Sequence, residues 1–203
     1  MLAGASIYKL SPLVDRYWGS LAPAGGLTLM TLAQSGLAAL GQMIERAVCM
    51  PVTPRVARLA DASEYAGLRA LLRQRMGWVS LFAVSLLALL VAVRPGWNAV
   101  LFTLLRLHET AAQQLWWLSV LLLGYLHVSA AGALVTAAFI ALGDSRTPVR
   151  VGVVGFVISV FVKSIAFLTA GIAGLALATS LYYIGNLIVM WRLLEKRLEG
   201  GDS

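Results

Sequence analysis

FIALGDSRTPVR, Phe139 to Arg150, is the stretch from which the fold can be worked outward. An apolar run ends at Leu142, and Gly143 can take the left-handed conformation that closes a helix. Asp144, Ser145 and Arg146 make a polar turn, in which Asp144 reads as a cap or turn residue. Thr147 is placed to cap the next helix, and Pro148 fits a first turn, where no N–H partner is needed. Two long apolar helices are therefore expected on either side of a very short basic hairpin.

The rest of the chain has the same character. Of 203 residues, 60% are hydrophobic and 12% charged, against about 25% charged in soluble domains. A soluble protein of this size cannot hide so much apolar surface, which points to an integral membrane protein. The apolar runs are long and unbroken rather than alternating over ~10 residues, so the spans are helices and not barrel strands. The expected fold class is an all-α polytopic membrane protein: six transmembrane helices plus an amphipathic helix lying on the membrane surface.

The expected spans are 2–21, 27–53, 78–93, 115–142, 149–169 and 172–194, with an amphipathic, basic linker at 54–75. Residues 1–198 would form one membrane domain, followed by a polar tail at 199–203. Pro51 and Pro54 should end the second span, and the triplet Arg94, Pro95, Gly96 should end the third. Span one has no flanking segment before it, which suggests that the chain begins inside a longer protein.

Orientation follows from the cations. Ten of the 16 Lys and Arg lie in the 54–75 linker, the 143–150 turn and the end of span six. Only Arg94 and Arg106 lie on the opposite side, and Lys9, Arg16, Arg46 and Lys163 fall inside spans. This asymmetry places the C-terminus in the cytoplasm. All six Trp (18, 78, 97, 116, 117, 191) fall near span ends, as an aromatic belt would. The net charge of +7 is thus read as topology and attraction to anionic membrane lipids, not as a nucleic-acid surface.

Charges inside the spans are the informative residues, because each costs roughly 2.5–3.5 kcal/mol at the helix centre. Such side chains face a wet cavity or a partner. The candidates to line a substrate cavity are Lys9, Asp15, Arg16, Gln34, Gln42, Glu45, Arg46 and Lys163. Thr31, Gln34, Ser35, Gln42, Glu45 and Arg46 fall within about 120° of one helix face, a polar stripe on an otherwise lipid-compatible helix. A cationic hydrated cavity suits an anionic head group, with Arg offering bidentate phosphate contacts. The competing reading is that these charges pair with one another or snorkel, and that the stripe serves helix–helix hydrogen bonding.

Other chemistry has little support. His108 and His127 are isolated and Cys49 has no companion ligand, so no metal and no cofactor are expected. No phosphate-binding loop, serine-hydrolase elbow or zinc-protease motif is present.

GDSRTPVR (143–150) and GLALATSL (174–181) resemble the MviN/MurJ proteins, lipid II flippases of the multidrug/oligosaccharidyl-lipid/polysaccharide exporter superfamily. LVDRYWGSLAPAG (13–25) is similar to their seventh span, and MPVTPRVARLADASEYAGLRALL (50–72) to the exit of the eighth and the linker after it. The resemblance covers nearly the whole chain. It implies the second lobe of a two-lobed flippase with about fourteen spans, whose cationic cavity binds an undecaprenyl-pyrophosphate-linked sugar and moves it by alternating access. An N-terminal lobe of the same protein would be the missing partner. Gln34 and Ser35 stand where the family usually has an Asp-Arg pair, so a related exopolysaccharide or O-antigen precursor fits as well as lipid II. Lys163 stands where relatives often show Asn, and could supply the lost cation.

The sequence therefore points to part of a flippase for a lipid-linked oligosaccharide in the bacterial inner membrane, and not to an enzyme. The alternatives are a truncated or non-transporting membrane subunit and, with less support, a membrane-embedded glycosyltransferase. The last would need acidic residues in a polar loop, and the loops offer only Asp61, Glu64 and Glu109.

Overall fold

A computed structural model describes residues 11–23, 25–105 and 108–200. They are helical almost throughout, with no strand among the described residues. The helices are α1 (Ser11–Ser20), α2 (Gly26–Ile44), α3 (Thr53–Asp61), α4 (Tyr65–Leu105), α5 (Glu109–Leu121), α6 (Leu123–Ala141) and α7 (Arg146–Gly200). Among the described residues, four helical stretches are long and apolar enough to cross a membrane: Gly26–Asp61, Tyr65–Arg94, Glu109–Ala141 and Arg146–Glu199. Of the first expected span, the part before residue 11, Lys9 included, lies outside the described residues.

The last of these stretches is two limbs. Gly171 has φ 59° and ψ −141°, which no helix accommodates, and which glycine adopts at little cost. The limbs on either side run antiparallel: Gly155 faces Tyr182 and Asn186, and Gly174 faces the Ala166 carbonyl. A Cβ on Gly174 would overlap that carbonyl oxygen, so the hairpin closes only with glycine there. Each limb exceeds the ~20 residues needed to span a bilayer.

The hairpin at Gly143 forms as its sequence dictates. Gly143 is left-handed at φ 72°. Its N–H donates to Ile140 O at 3.0 Å, and the Asp144 N–H to Phe139 O at 2.9 Å, the paired bonds of a Schellman closure. Asp144 was read as a cap or turn residue, and α7 uses it as its cap. Asp144, not Thr147, is the capping side chain: its Oδ1 accepts from the Arg146 and Thr147 N–H groups. The Thr147 hydroxyl reaches back to Asp144 Oδ2 at 2.7 Å. A carboxylate accepts several N–H bonds better than a hydroxyl. The Thr147 hydroxyl and N–H, with Arg197 and Arg146 N–H behind them, hold the Asp144 carboxyl below its ordinary range.

Two expected breaks are absent. Pro51 and Pro54 do not end the second helix, which passes through a π turn at Glu45–Cys49 and a 3-10 turn at Met50–Val52 into α3. Proline clashes with the carbonyl four residues back only in regular α geometry. A wider turn before Pro51 lets the chain continue. Likewise α4 runs past Arg94 and Gly96 to Leu105, since a membrane helix tolerates such residues where neighbouring groups re-satisfy the backbone. Close to that point the Trp116 indole N–H donates to Leu90 O at 3.0 Å, and the Arg94 guanidinium lies 4.9 Å from the Trp116 ring.

α6 is the centre of the bundle. Leu126, Ala130, Ala131, Leu134, Val135, Ala138 and Phe139 are all buried on it. α2 meets it where Gly41 lies against Ser129, and α7 meets it where Gly124 lies against Ser180. Glycines here permit close backbone approach, the usual device of membrane helix packing. Ion pairs gather at one end of the bundle: Arg73–Glu195 (2.8 Å), Arg69–Glu199 (3.9 Å) and Arg197–Asp144 (2.6 Å). They bring the start of α4, the Gly143 turn and the end of α7 to one level, as the cation count had grouped them.

Candidate functional site

The charged candidates divide into a closed group and an open one. Asp15 of α1 and Lys163 of α7 form the closed group. Lys163 Nζ donates to Asp15 Oδ1 at 2.7 Å, and Lys163 is 0% exposed. Gln34 of α2 donates from Nε2 to Asp15 Oδ2 at 3.3 Å. The Tyr182 ring centroid lies 5.9 Å from Lys163 Nζ. Three parts of the chain, 148 residues apart at the extremes, are thus tied by one buried ion pair and its hydrogen bonds. Burying either ion alone costs several kcal/mol, and pairing with hydrogen bonds offsets it.

Asp15 and Lys163 were read either as lining a wet cavity or as pairing with another charge inside the spans; here they pair with each other, both buried inside the bundle. The physical reason is the depth at which α1 crosses α7. A lysine stem long enough to snorkel finds a carboxylate nearer than water. Tyr182 was not singled out in the sequence, where the tyrosine pair 182–183 looks like any apolar span. Its role as a lid over Lys163 becomes visible only once the Gly171 hairpin is closed.

The open group lies on α2 and beside it. The buried face of α2 is Leu29, Met30, Ala33, Leu37, Gly41 and Ile44. Thr31, Ser35, Gln42 and Arg46 are exposed on the other side, and Gln34 and Glu45 are half-buried at its border. Arg16 is exposed on α1. Thr31 is satisfied locally, its hydroxyl donating to Leu27 O at 2.8 Å. Leu32, Gly36, Ala39 and Met43 make up a separate, apolar and exposed face. α2 is therefore three-sided: one face for the core, one suited to lipid, and one polar face with neither role.

The π turn falls at the end of that polar face. Glu45 opens it and Cys49 closes it, with the Cys49 thiol donating to Ala130 O at 3.4 Å. Pro51 was the only signal of it in the sequence. Among the described residues no three His, Cys, Asp or Glu side chains cluster as a metal ion would require.

The family described as Lipid II flippase MurJ matches residues 1–203. The chain belongs to this family. Solved structures agree in fold. A lipid II flippase MurJ in an inward closed conformation superposes with a TM-score of 0.75 at 13% identity, covering 95% of this chain and 41% of that one. A MOP superfamily transporter from Pyrococcus furiosus, described as having a binding pocket of reverse polarity, gives 0.72 at 17% identity over 94% of this chain and 42% of its own. A MATE protein crystallised with MaD3S gives 0.71 at 20% identity, over 97% and 44%. A comparison with curated proteins returned no match. The chain thus spans less than half the length of the solved structures it matches. It is a multi-pass membrane protein with the helical fold of MurJ and MATE transporters.

Proposed function

We propose that this chain is one lobe of a flippase that carries a lipid-linked, pyrophosphate-bearing sugar, lipid II or a related polysaccharide precursor, across the bacterial inner membrane by alternating access. A second lobe of about the same size completes it, and its C-terminus lies in the cytoplasm, where the basic end of the bundle meets the cation count.

The observation that carries this reading is the third face of α2. Ser35, Gln42 and Arg46 are exposed, as is Arg16, and none makes a side-chain hydrogen bond or ion pair with another described residue. Facing hydrocarbon, such groups cost several kcal/mol together. A second lobe that enclosed water against them would remove that cost. Asp15 holds Gln34, so its neighbour Arg16 stands level with the Gln34 end of the stripe. Arg46 lies eleven residues beyond Ser35, about 16 Å along the helix. Two cations at two depths give an anionic head group a pair of stations along one path, each able to take phosphate bidentately. The step requires no covalent chemistry. The protein supplies a polar route and two access states, and the Asp15–Lys163 pair keeps α1 and α7 moving as one body.

Complementation tests this. In a flippase-depleted bacterial strain, the chain expressed with a first lobe from its own protein should restore growth, and the chain alone should not. Growth failing with both lobes, while both reach the membrane, favours the reading of a non-transporting subunit.

A further inference from the structure

We propose that the outer face of α7 binds one anionic phospholipid, with its phosphate at Arg150 and one acyl chain lying between the two limbs. A groove of about 560 Å³ runs there, walled by Val151, Val154, Ile158 and Val162 on one limb and by Leu181 and Val189 on the other. Its walls are mostly aliphatic, with Ser159, Tyr182 and Asn186 among them, and among the described residues Arg150 is the one charged side chain lining it. Val154, Ile158 and Leu181 are each more than half exposed. The groove therefore opens outward, away from the α6 core.

Charge selects the head group. Arg150 stands at the groove's end nearest the Gly143 turn. Other arginines at that end are engaged: Arg197 with Asp144, Arg73 with Glu195 and Arg69 with Glu199. Arg150 is exposed and makes no ion pair with a described residue. Arg146, one turn earlier and also exposed, adds a second cation on the same side. A lone phosphate accepts a guanidinium in a bidentate bond. A zwitterionic head group brings its own cation to the same place, which offsets part of that attraction.

Size selects the tail. From Arg150 to Val162 the helix rises about 18 Å, close to one leaflet of the ~30 Å hydrocarbon core. An acyl chain one leaflet long matches the length of this slot. A polyprenyl tail, several times longer than one leaflet, overruns it. Gly185 opens the slot, since a Cβ there would meet nothing within 4 Å.

The test uses the full chain purified in mild detergent from membranes of phosphatidylethanolamine and phosphatidylglycerol, with retained lipid counted by native mass spectrometry. Wild type should hold one phosphatidylglycerol in about fivefold preference, the discrimination expected of one interfacial arginine. Arg150→Gln should abolish the preference, Gly185→Phe should lower retention of both lipids, and Arg55→Gln should change nothing. Gly185→Leu serves if the phenylalanine variant does not fold. The proposal is overturned if Arg150→Gln keeps the preference, if both groove-filling variants retain lipid as wild type does, or if Arg55→Gln loses as much as Arg150→Gln. Displacement of phosphatidylglycerol by equimolar undecaprenyl phosphate would also overturn it, by making the groove a substrate site.

Discussion

Replacing Lys163 with Met should destabilise the lobe by about 3–5 kcal/mol, the cost of stranding a buried partner charge. Asp15 is 6% exposed, and without the ammonium 2.7 Å away its carboxylate keeps, among the described residues, the Gln34 amide as its hydrogen-bond partner. Met matches the lysine stem in shape, so packing is conserved and the lost charge is isolated. Adding Asp15→Asn should recover most of the loss, because a neutral amide can share hydrogen bonds with Gln34. Thermal melting of the four chains in one detergent gives the coupling directly. A coupling near zero would mean that the pair is solvated in the working protein and that α1 is not fastened to α7. The same cycle separates two meanings of Lys163: a substrate-contacting cation would depress transport at unchanged stability, whereas a clamp must lower the melting temperature.

Reversing the two open cations should have the opposite profile. In the complete two-lobed protein, Arg16→Glu with Arg46→Glu should lower flipping of a fluorescent lipid-linked substrate by at least tenfold. Each charge-assisted contact to phosphate is worth about 1.5–3 kcal/mol, and the reversed charge repels the head group as well. Stability should scarcely change, since neither arginine pairs with a described residue. Arg55→Glu, on the exposed face of α3, is the matching control and should transport normally. Equal flipping by the double variant and the control would remove Arg16 and Arg46 from the path.

The membrane character, the Gly143 turn and the basic end of the bundle were legible because each rests on local chemistry. Gly143, Asp144 and Pro148 dictate a closure and a restart within a few residues, and the cation count needs no tertiary information. The polar stripe of α2 was also legible, since helical period alone puts Ser35, Gln42 and Arg46 on one side. What failed was local reasoning applied to breakers. Pro51 and the Arg94–Gly96 triplet look like stops, but inside a bundle a π turn at Glu45–Cys49 absorbs the first and helix continues through the second. The pairing of Asp15 with Lys163 was illegible for a different reason. It joins residues 148 apart, and the sequence marks both as anomalous without saying that they meet. Intramembrane charge was the right signal, but it could not tell a clamp inside the lobe from a contact with substrate.

In the proposed transporter the polar face of α2 borders water. Cysteine labelling tests it most directly. In the two-lobed protein with Cys49 replaced by Ala, Ser35→Cys should react with a membrane-impermeant maleimide in at least one access state, and lipid-linked substrate should protect it. Met43→Cys, on the apolar face of the same helix, should stay unreactive throughout. Ser35→Cys as inert as Met43→Cys in every state would contradict the claim and leave α2 without a reason for its third face.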